Sequence, residues 1–152
     1  LEDEEVRKIR IKMSGCPNGC GLHHIANIGF HGAAVKGPDG EQKPSYELFL
    51  GGNYADNRVE DSCIGTRIPK VKVPAKAVPG VIKEITTYYK ENRQNQESFN
   101  QFLERVGVTQ LTAVAAQAQS IAEFTEAGSD LYFDWERTNI YKLERGEGEC
   151  MG

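Results

Sequence analysis

The chain has no excess of basic residues, no long apolar run and few cysteines, and each shortage excludes a class of function. Its 18 lysines and arginines stand against 22 acidic residues, a net charge of −4 over 152 residues. General nucleic-acid binding needs a basic footprint, so no nucleic-acid partner is expected. No apolar run approaches the length of a membrane span, and no secretion-signal pattern is present, so no membrane partner is expected either. Four cysteines with one close pair make a poor disulfide scaffold in a chain of this length. Intracellular metal or redox use of the thiols is expected instead, and with it a cytoplasmic location. There is no internal repeat and no low-complexity segment. The first residue is Leu1, and an acidic run over 2–5 leads straight into a strand-like stretch. That start reads as a piece excised from a longer protein.

The length suits one ordinary domain with an appended helical piece. In residues 6–13, Ile9, Ile11 and Met13 alternate with Lys8, Arg10 and Lys12, the pattern of a half-buried strand. A short helix is expected over 22–26 and a second strand over 28–35, where Gly29 and Gly32 permit close backbone approach. The turn-rich stretch 36–43 reads as a hairpin connection to a third strand over 46–50, ended by Gly51-Gly52-Asn53. Residues 54–62 are polar and read as loop. Residues 67–73 read as extended, with Lys70 and Lys72 on one face and Val71 and Val73 on the other.

Pro74 and Pro79 bracket a turn and a helix start. Val78, Ile82, Ile85 and Tyr89 then give a helical stripe over 80–92. Ser98 is the expected N-cap of a helix carrying Phe99, Phe102, Leu103 and Val106, stopped by Gly107. Thr109 is the expected cap of another, running through Leu111, Val114, Ala115, Ala118, Ile121 and Ala122 to a break at Gly128-Ser129. Residues 131–135 are aromatic, a strand or amphipathic segment, and 146–150, ending in Cys150, read as flexible. Strands followed by helices give an α+β class: an antiparallel or mixed sheet with flanking helices and a helical C-terminal extension. The expected division is 1–110 for the domain and 111–152 for the extension.

The chemistry concentrates in Gly15-Cys16-Pro17-Asn18-Gly19-Cys20-Gly21. Two thiols in a glycine-wrapped loop offer two soft ligands to one metal centre. Pro17 fixes one backbone angle, while Asn18 and Gly19 tolerate positive φ. Backbone N–H groups there are free to face sulfur, and a helix starting at Gly21 would add its positive end. On chemistry alone three readings stand. The first is half of an iron–sulfur site, since a cubane takes four cysteines. The second is zinc, through Cys16, Cys20, His24 and His31, in a stand-alone metal- or thiol-binding module. The third is a pair of inert structural thiols.

The loop resembles the second cysteine pair of the siroheme-dependent sulfite and nitrite reductases. So do His24-Ile25-Ala26-Asn27-Ile28-Gly29-Phe30-His31-Gly32, Leu50-Gly51-Gly52-Asn53, Gly65-Thr66-Arg67-Ile68-Pro69, and the stretch from Glu97-Ser98-Phe99 to Arg105-Val106-Gly107, in order over 6–110. The resemblance implies half of a siroheme reductase fold. It implies that Cys16 ligates a [4Fe-4S] cluster and that Cys20 ligates it and bridges to siroheme iron. The implied reaction is six-electron reduction of sulfite to sulfide or nitrite to ammonia. Pro17, Asn18, Gly19, Asn53, Thr66 and Arg67 are the implied cofactor-binding positions, and Gly19 leans the reading toward sulfite.

The family's first cysteine pair lies upstream of the second, and Cys63 and Cys150 lie downstream. The implied partners are therefore the upstream part of the same polypeptide and an electron donor, ferredoxin or a flavoprotein. The chain alone is expected to hold neither cofactor and to be inactive. Among the remaining residues, His23 and His24 are adjacent, so they are expected to point in different directions. Surface or hydrogen-bonded structural roles are expected for His23, His24 and His31. Cys63 reads as a free loop cysteine. Lys70, Lys72 and Lys76 read as a solvated face, with Arg67 the candidate exception. Tyr132, Phe133 and Trp135 read as packing.

Overall fold

The computed structural model describes residues 3–37, 40–54, 62–124 and 130–143. Most of the polar loop after Tyr54, the Gly128-Ser129 break and the tail around Cys150 lie outside the described residues. Four strands form one mixed sheet in the order β1(Ile11–Ser14), β2(Ile28–Lys36), β3(Gln42–Leu50), β4(Thr66–Pro74). The β2–β3 and β3–β4 pairs are antiparallel, whereas β1 runs parallel to β2. The expected α+β class is what the structure has.

Helices cover one face of this sheet. Ile28, Phe30, Leu48, Leu50, Ile68, Val71 and Val73 point into a core closed by α2(Val78–Asn92), α3(Phe99–Val106) and α4(Val108–Phe124). Tyr89, Phe30 and Phe102 are the largest fully buried side chains. Tyr89 stacks edge-on against Phe99 and Phe102, and its hydroxyl donates to the Glu97 carbonyl.

Pro79 sits in the first turn of α2, where its missing N–H costs nothing. The buried stripe of α2 is Val78, Val81, Ile85 and Tyr89; Ile82, expected in it, is half-buried. Ser98 caps α3 as expected, its hydroxyl accepting from Gln101 N while the Gln101 side chain accepts from Ser98 N. Replacing Ser98 by alanine should lower stability by about 1 kcal/mol. Urea unfolding should show a lower midpoint at unchanged slope.

Three expectations are corrected. Residues 6–13 are not one strand. Asp3 accepts from Glu5 N and Val6 N and is held by Arg93 at 2.8 Å, so the chain makes a helical turn, α1(Glu4–Arg7), before β1 begins. Ile11 and Met13 are then 41% and 43% exposed, because β1 is the edge strand. Thr109 does not cap α4. That helix starts at Val108, directly after Gly107 at φ +83°, and Thr109 falls in its first turn.

The β4 alternation breaks between Arg67 and Lys72, where Lys70 takes φ +66° and Ile68 and Val71, three apart, are both buried. Beyond α4, the described tail is short and irregular. Residues 130–132 make a 3-10 turn and Phe133 bridges Ile140. The tail lies over the hairpin and the turn Ala75–Ala77, through a Lys76–Asp130 pair at 2.7 Å and a Trp135 Nε1–Ala75 O bond at 3.4 Å. Helix α4 spans the 110/111 division, and its Leu111 and Ala115 are buried in the same core as α2.

Candidate functional site

The cysteine loop is built from backbone packed on backbone. It leaves β1 at Ser14 and returns through the turn His23–Ile25 into β2, so residues 15–27 form the crossover between two parallel strands. A Cβ on Gly32 would lie 2.0 Å from Gly15 O, and one on Gly21 would lie 2.0 Å from Met13 O. Those contacts exclude any side chain at either position. Gly19 takes φ +77°, as the sequence suggested, and Leu22 N donates to Gly19 O at 2.7 Å. Cys16, Pro17, Asn18 and Cys20 are exposed. A well-seated backbone thus presents two thiols that nothing in the core needs. The expected helix after Gly21 is a single 3-10 turn, His23–Ile25, too short to supply the positive helix end expected there.

Beneath the loop lie the three histidines. The adjacent rings of His23 and His24 do not diverge as expected, because the tight turn stacks them with centroids 3.8 Å apart. Both rings, and that of His31, pack on Phe49. His23 is fully buried, and its Nδ1 shares a 2.7 Å hydrogen bond with Ser14 Oγ, which also accepts from Gly21 N at 3.1 Å. The structural role expected for His23 is therefore observed. Among the described residues, no three His, Cys, Asp or Glu side chains are grouped to hold a metal, so the zinc arrangement is not assembled.

Burial, aided by the neighbouring His24 and His31, pushes the His23 imidazole down to about 4 from an ordinary 6.5. Between those values the unfolded chain binds a proton that the folded chain refuses. Stability should therefore be full above pH 6.5, fall as pH drops toward 4, and level off for this group below that. The shift sets a ceiling of about 3 kcal/mol on the loss. Urea midpoints at pH 7 and 4.5 should differ accordingly, and His23→Gln should flatten the difference.

The sheet face opposite the helices carries the charged part of the site. Ser14, His31, Glu47 and Lys72 lie on one rung across all four strands. Glu47, which sequence reasoning missed, is 9% exposed and is grasped by Arg67 through Nε at 2.5 Å and Nη2 at 2.7 Å. His31 Nε2 lies 3.4 Å and Lys72 Nζ 3.7 Å from the same carboxylate. The hydrogen bond from Arg67 is the main reason the Glu47 carboxyl is held below its ordinary range. The available signal was an acidic residue between Tyr46 and Leu48 in a strand otherwise flanked by apolar positions.

The other expected site residues are spread around this frame. Arg67 and Thr66 are neighbours on a strand, so their side chains project to opposite faces; only Arg67 joins the Glu47 cluster. Asn53 pairs with Cys63 through two backbone hydrogen bonds of 2.9 and 2.8 Å. Cys63 is exposed, as expected, and its thiol donates to Gly51 O at 3.1 Å. Lys70 is exposed, and Lys76 is paired with Asp130.

Two asparagines were also missed. Asn27 Oδ1 accepts from Arg10 N at 2.8 Å, its amide donates to Asn100 Oδ1 at 3.0 Å, and Asn100 Nδ2 donates to Gly51 O at 3.1 Å. This network ties the cysteine crossover, the Gly51-Gly52 turn and α3 together. A lone polar residue on the otherwise apolar front of α3 was the available signal.

A mixed sheet with helices on one face, and a cysteine crossover seated on the other, makes this an α+β domain. Residues 6–120 match the family model for the nitrite and sulphite reductase 4Fe-4S domain, and the chain belongs to that family. It is 34% identical over 107 residues to the sulfite reductase (NADPH) hemoprotein beta-component of Methylobacterium nodulans, covering 70% of this chain and 15% of that protein. It is 30% identical over 142 residues to the sulfite reductase (ferredoxin) of Synechococcus elongatus, covering 93% of this chain and 20% of that protein. The structure of the NirA protein of Mycobacterium tuberculosis matches it with a TM-score of 0.60 at 25% identity, over 68% of this chain and 18% of that one. The chain thus spans 15% to 20% of the length of these relatives. Its donor set fits half of a cubane: two exposed thiols on one fixed loop, where the cluster takes four cysteines.

Proposed function

We propose that this chain supplies the second cysteine pair of a [4Fe-4S] cluster in a siroheme-dependent sulfite or nitrite reductase, with Cys16 as a cluster ligand and Cys20 as the thiolate shared with siroheme iron. The observation that carries the reading is the exposure of both thiols on a backbone-packed loop inside the family-matched segment. When bound, the two cofactors supply the electron transfer and iron chemistry for six-electron reduction of sulfite to sulfide or of nitrite to ammonia. The chain's own part is to bind and orient. Pro17, Asn18 and Gly19 shape the loop, the histidine stack supports it, and Arg67 and Asn53 flank the cofactor, with Thr66 contributing through its backbone beside Arg67.

Gly19, beside Cys20, favours sulfite over nitrite. The upstream part of the same polypeptide brings the other two thiols, and ferredoxin or a flavoprotein brings electrons. The isolated chain therefore holds no complete cluster and reduces nothing. Anaerobic treatment of the purified chain with iron and sulfide, followed by iron and acid-labile sulfide analysis, tests this. A substoichiometric result is expected, and one full four-iron cluster per chain would overturn the half-site reading.

A further inference from the structure

Glu47 is an expensive residue to place where it stands. A carboxylate buried in the middle of a sheet is tolerated only when paired. Its pairing here needs a distorted strand. Between the Glu47–Lys72 and Phe49–Arg67 pairs, one residue of β3, Leu48, faces four of β4, residues 68–71. Lys70 takes φ +66° within that bulge, a conformation unfavourable for a side-chain-bearing residue. Bulges of this kind re-aim side chains, and this one brings Arg67 and Lys72 to a single carboxylate. Arg67 nevertheless stays 59% exposed and Lys72 43% exposed, against 11% for the Glu47 side chain. Two cations thus outweigh one carboxylate, and the surplus positive charge faces outward on the face that carries the cysteine crossover.

We propose that Glu47 is a positioning residue that fixes the Arg67 guanidinium, with Lys72 beside it, as a receptor for a carboxylate or small oxyanion on the open sheet face. A guanidinium binds such anions through its planar fork of donors, and a fork already held by a carboxylate loses little freedom on binding. Glu47 takes one edge of the fork through Nε and Nη2, and the exposed remainder is directed to solvent. In the proposed reductase, both a carboxylate-bearing tetrapyrrole and an oxyanion substrate have this chemistry. That choice of ligand rests on the proposed function, whereas the receptor itself does not.

The metal-free chain, titrated at constant ionic strength with sodium sulfite and separately with uroporphyrin, an iron-free tetrapyrrole polycarboxylate, provides the test. The Arg67 Nε–H resonance is followed by NMR. Saturable movement is expected with at least one probe. Sulfite alone marks an oxyanion receptor, and uroporphyrin alone marks a carboxylate receptor. Glu47→Gln makes the site more positive by one charge, so a simple electrostatic patch would bind either probe more tightly. A positioned receptor should instead bind about tenfold more weakly, with the circular dichroism unchanged. Equal or tighter binding by Glu47→Gln overturns the proposal, as does no saturable binding of either probe by the unsubstituted chain.

Should Glu47→Gln not fold, Arg67→Lys keeps the charge and loses the fork. The same weakening is expected there, and unchanged binding overturns the proposal. Lys70→Ala, exposed and outside the cluster, should leave binding intact, and an equal loss in that variant also overturns it. No arm uses iron, so a failed cluster experiment leaves these outcomes standing.

Discussion

In the proposed full-length reductase, replacing Cys20 by alanine should bring sulfite or nitrite reduction to background while leaving the fold intact. The two halves of that expectation have different physical origins. Cys20 is exposed and lies outside the hydrophobic core, so the change removes no buried contact. Surface substitutions of that kind fall within about 0.5 kcal/mol. The backbone that seats the loop is held through Gly15, Gly21 and Gly32, and none of these is touched.

What is lost is the thiolate proposed to be common to cluster and siroheme iron, which no neighbouring described side chain can replace. Urea midpoints should match the unsubstituted protein. The cluster and haem absorption should both change, and electron paramagnetic resonance should lose the signature of coupled centres. Cys16→Ala should also cost cluster iron, while a variant retaining full activity and coupling at either position would sink the assignment.

Gly32→Ala should do the reverse and fail as a fold before its chemistry can be asked about. The added methyl would sit 2.0 Å from Gly15 O and 2.8 Å from Gly15 C. Both are backbone atoms fixed by the β1–β2 pairing, in which Ser14 faces His31. Neither can rotate away as a flexible side chain would. Relief requires moving the start of the cysteine loop, or separating the edge strand from its neighbour. Overpacking at a site this rigid costs about 3 kcal/mol or more.

Gly29, whose Cβ would meet His23 O at 2.0 Å, should behave in the same way. Gly80 provides the contrast. It has open space around it in the first turns of α2, and alanine there should stabilise by a few tenths of a kcal/mol to about 1. A urea midpoint for Gly32→Ala equal to that of the unsubstituted chain would show that the loop is not seated as described.

The sequence was legible where local chemistry decides the outcome. Ser98 and Gly107 delimit α3 because capping is a matter of a few neighbouring residues, and the hairpin from β2 to β3 follows from a turn-rich stretch between two strand-like segments. The cysteine loop was legible by its residue types alone. The errors fall where distant contacts decide. Nothing near residue 6 reveals that Asp3 is held by Arg93, ninety positions away, and that contact helps convert the expected strand start into α1.

The alternation of Ile11 and Met13 correctly signalled a strand but assumed a covered face, and an edge strand lacks one. The apparent alternation in 67–73 hid a bulge, because the spacing of charges cannot show that four residues face one. Glu47 and the Asn27–Asn100 pair were missed because a buried polar residue is recognisable only by its partners. In all three cases the partners come from other elements.

The course of the chain between β1 and β2 also ties the cysteine loop to the completion of the sheet. Antiparallel strands can be joined by a tight turn, whereas a parallel pair needs a crossover. Here that crossover is the cysteine loop itself. Thiols on a chain whose edge strand has not yet docked are two unplaced nucleophiles, open to oxidation or to scavenging the wrong metal. Docked, with Gly15 against Gly32, the same thiols are carried on one seated loop, so the integrity of the edge strand and the placement of the two sulfurs are a single structural property.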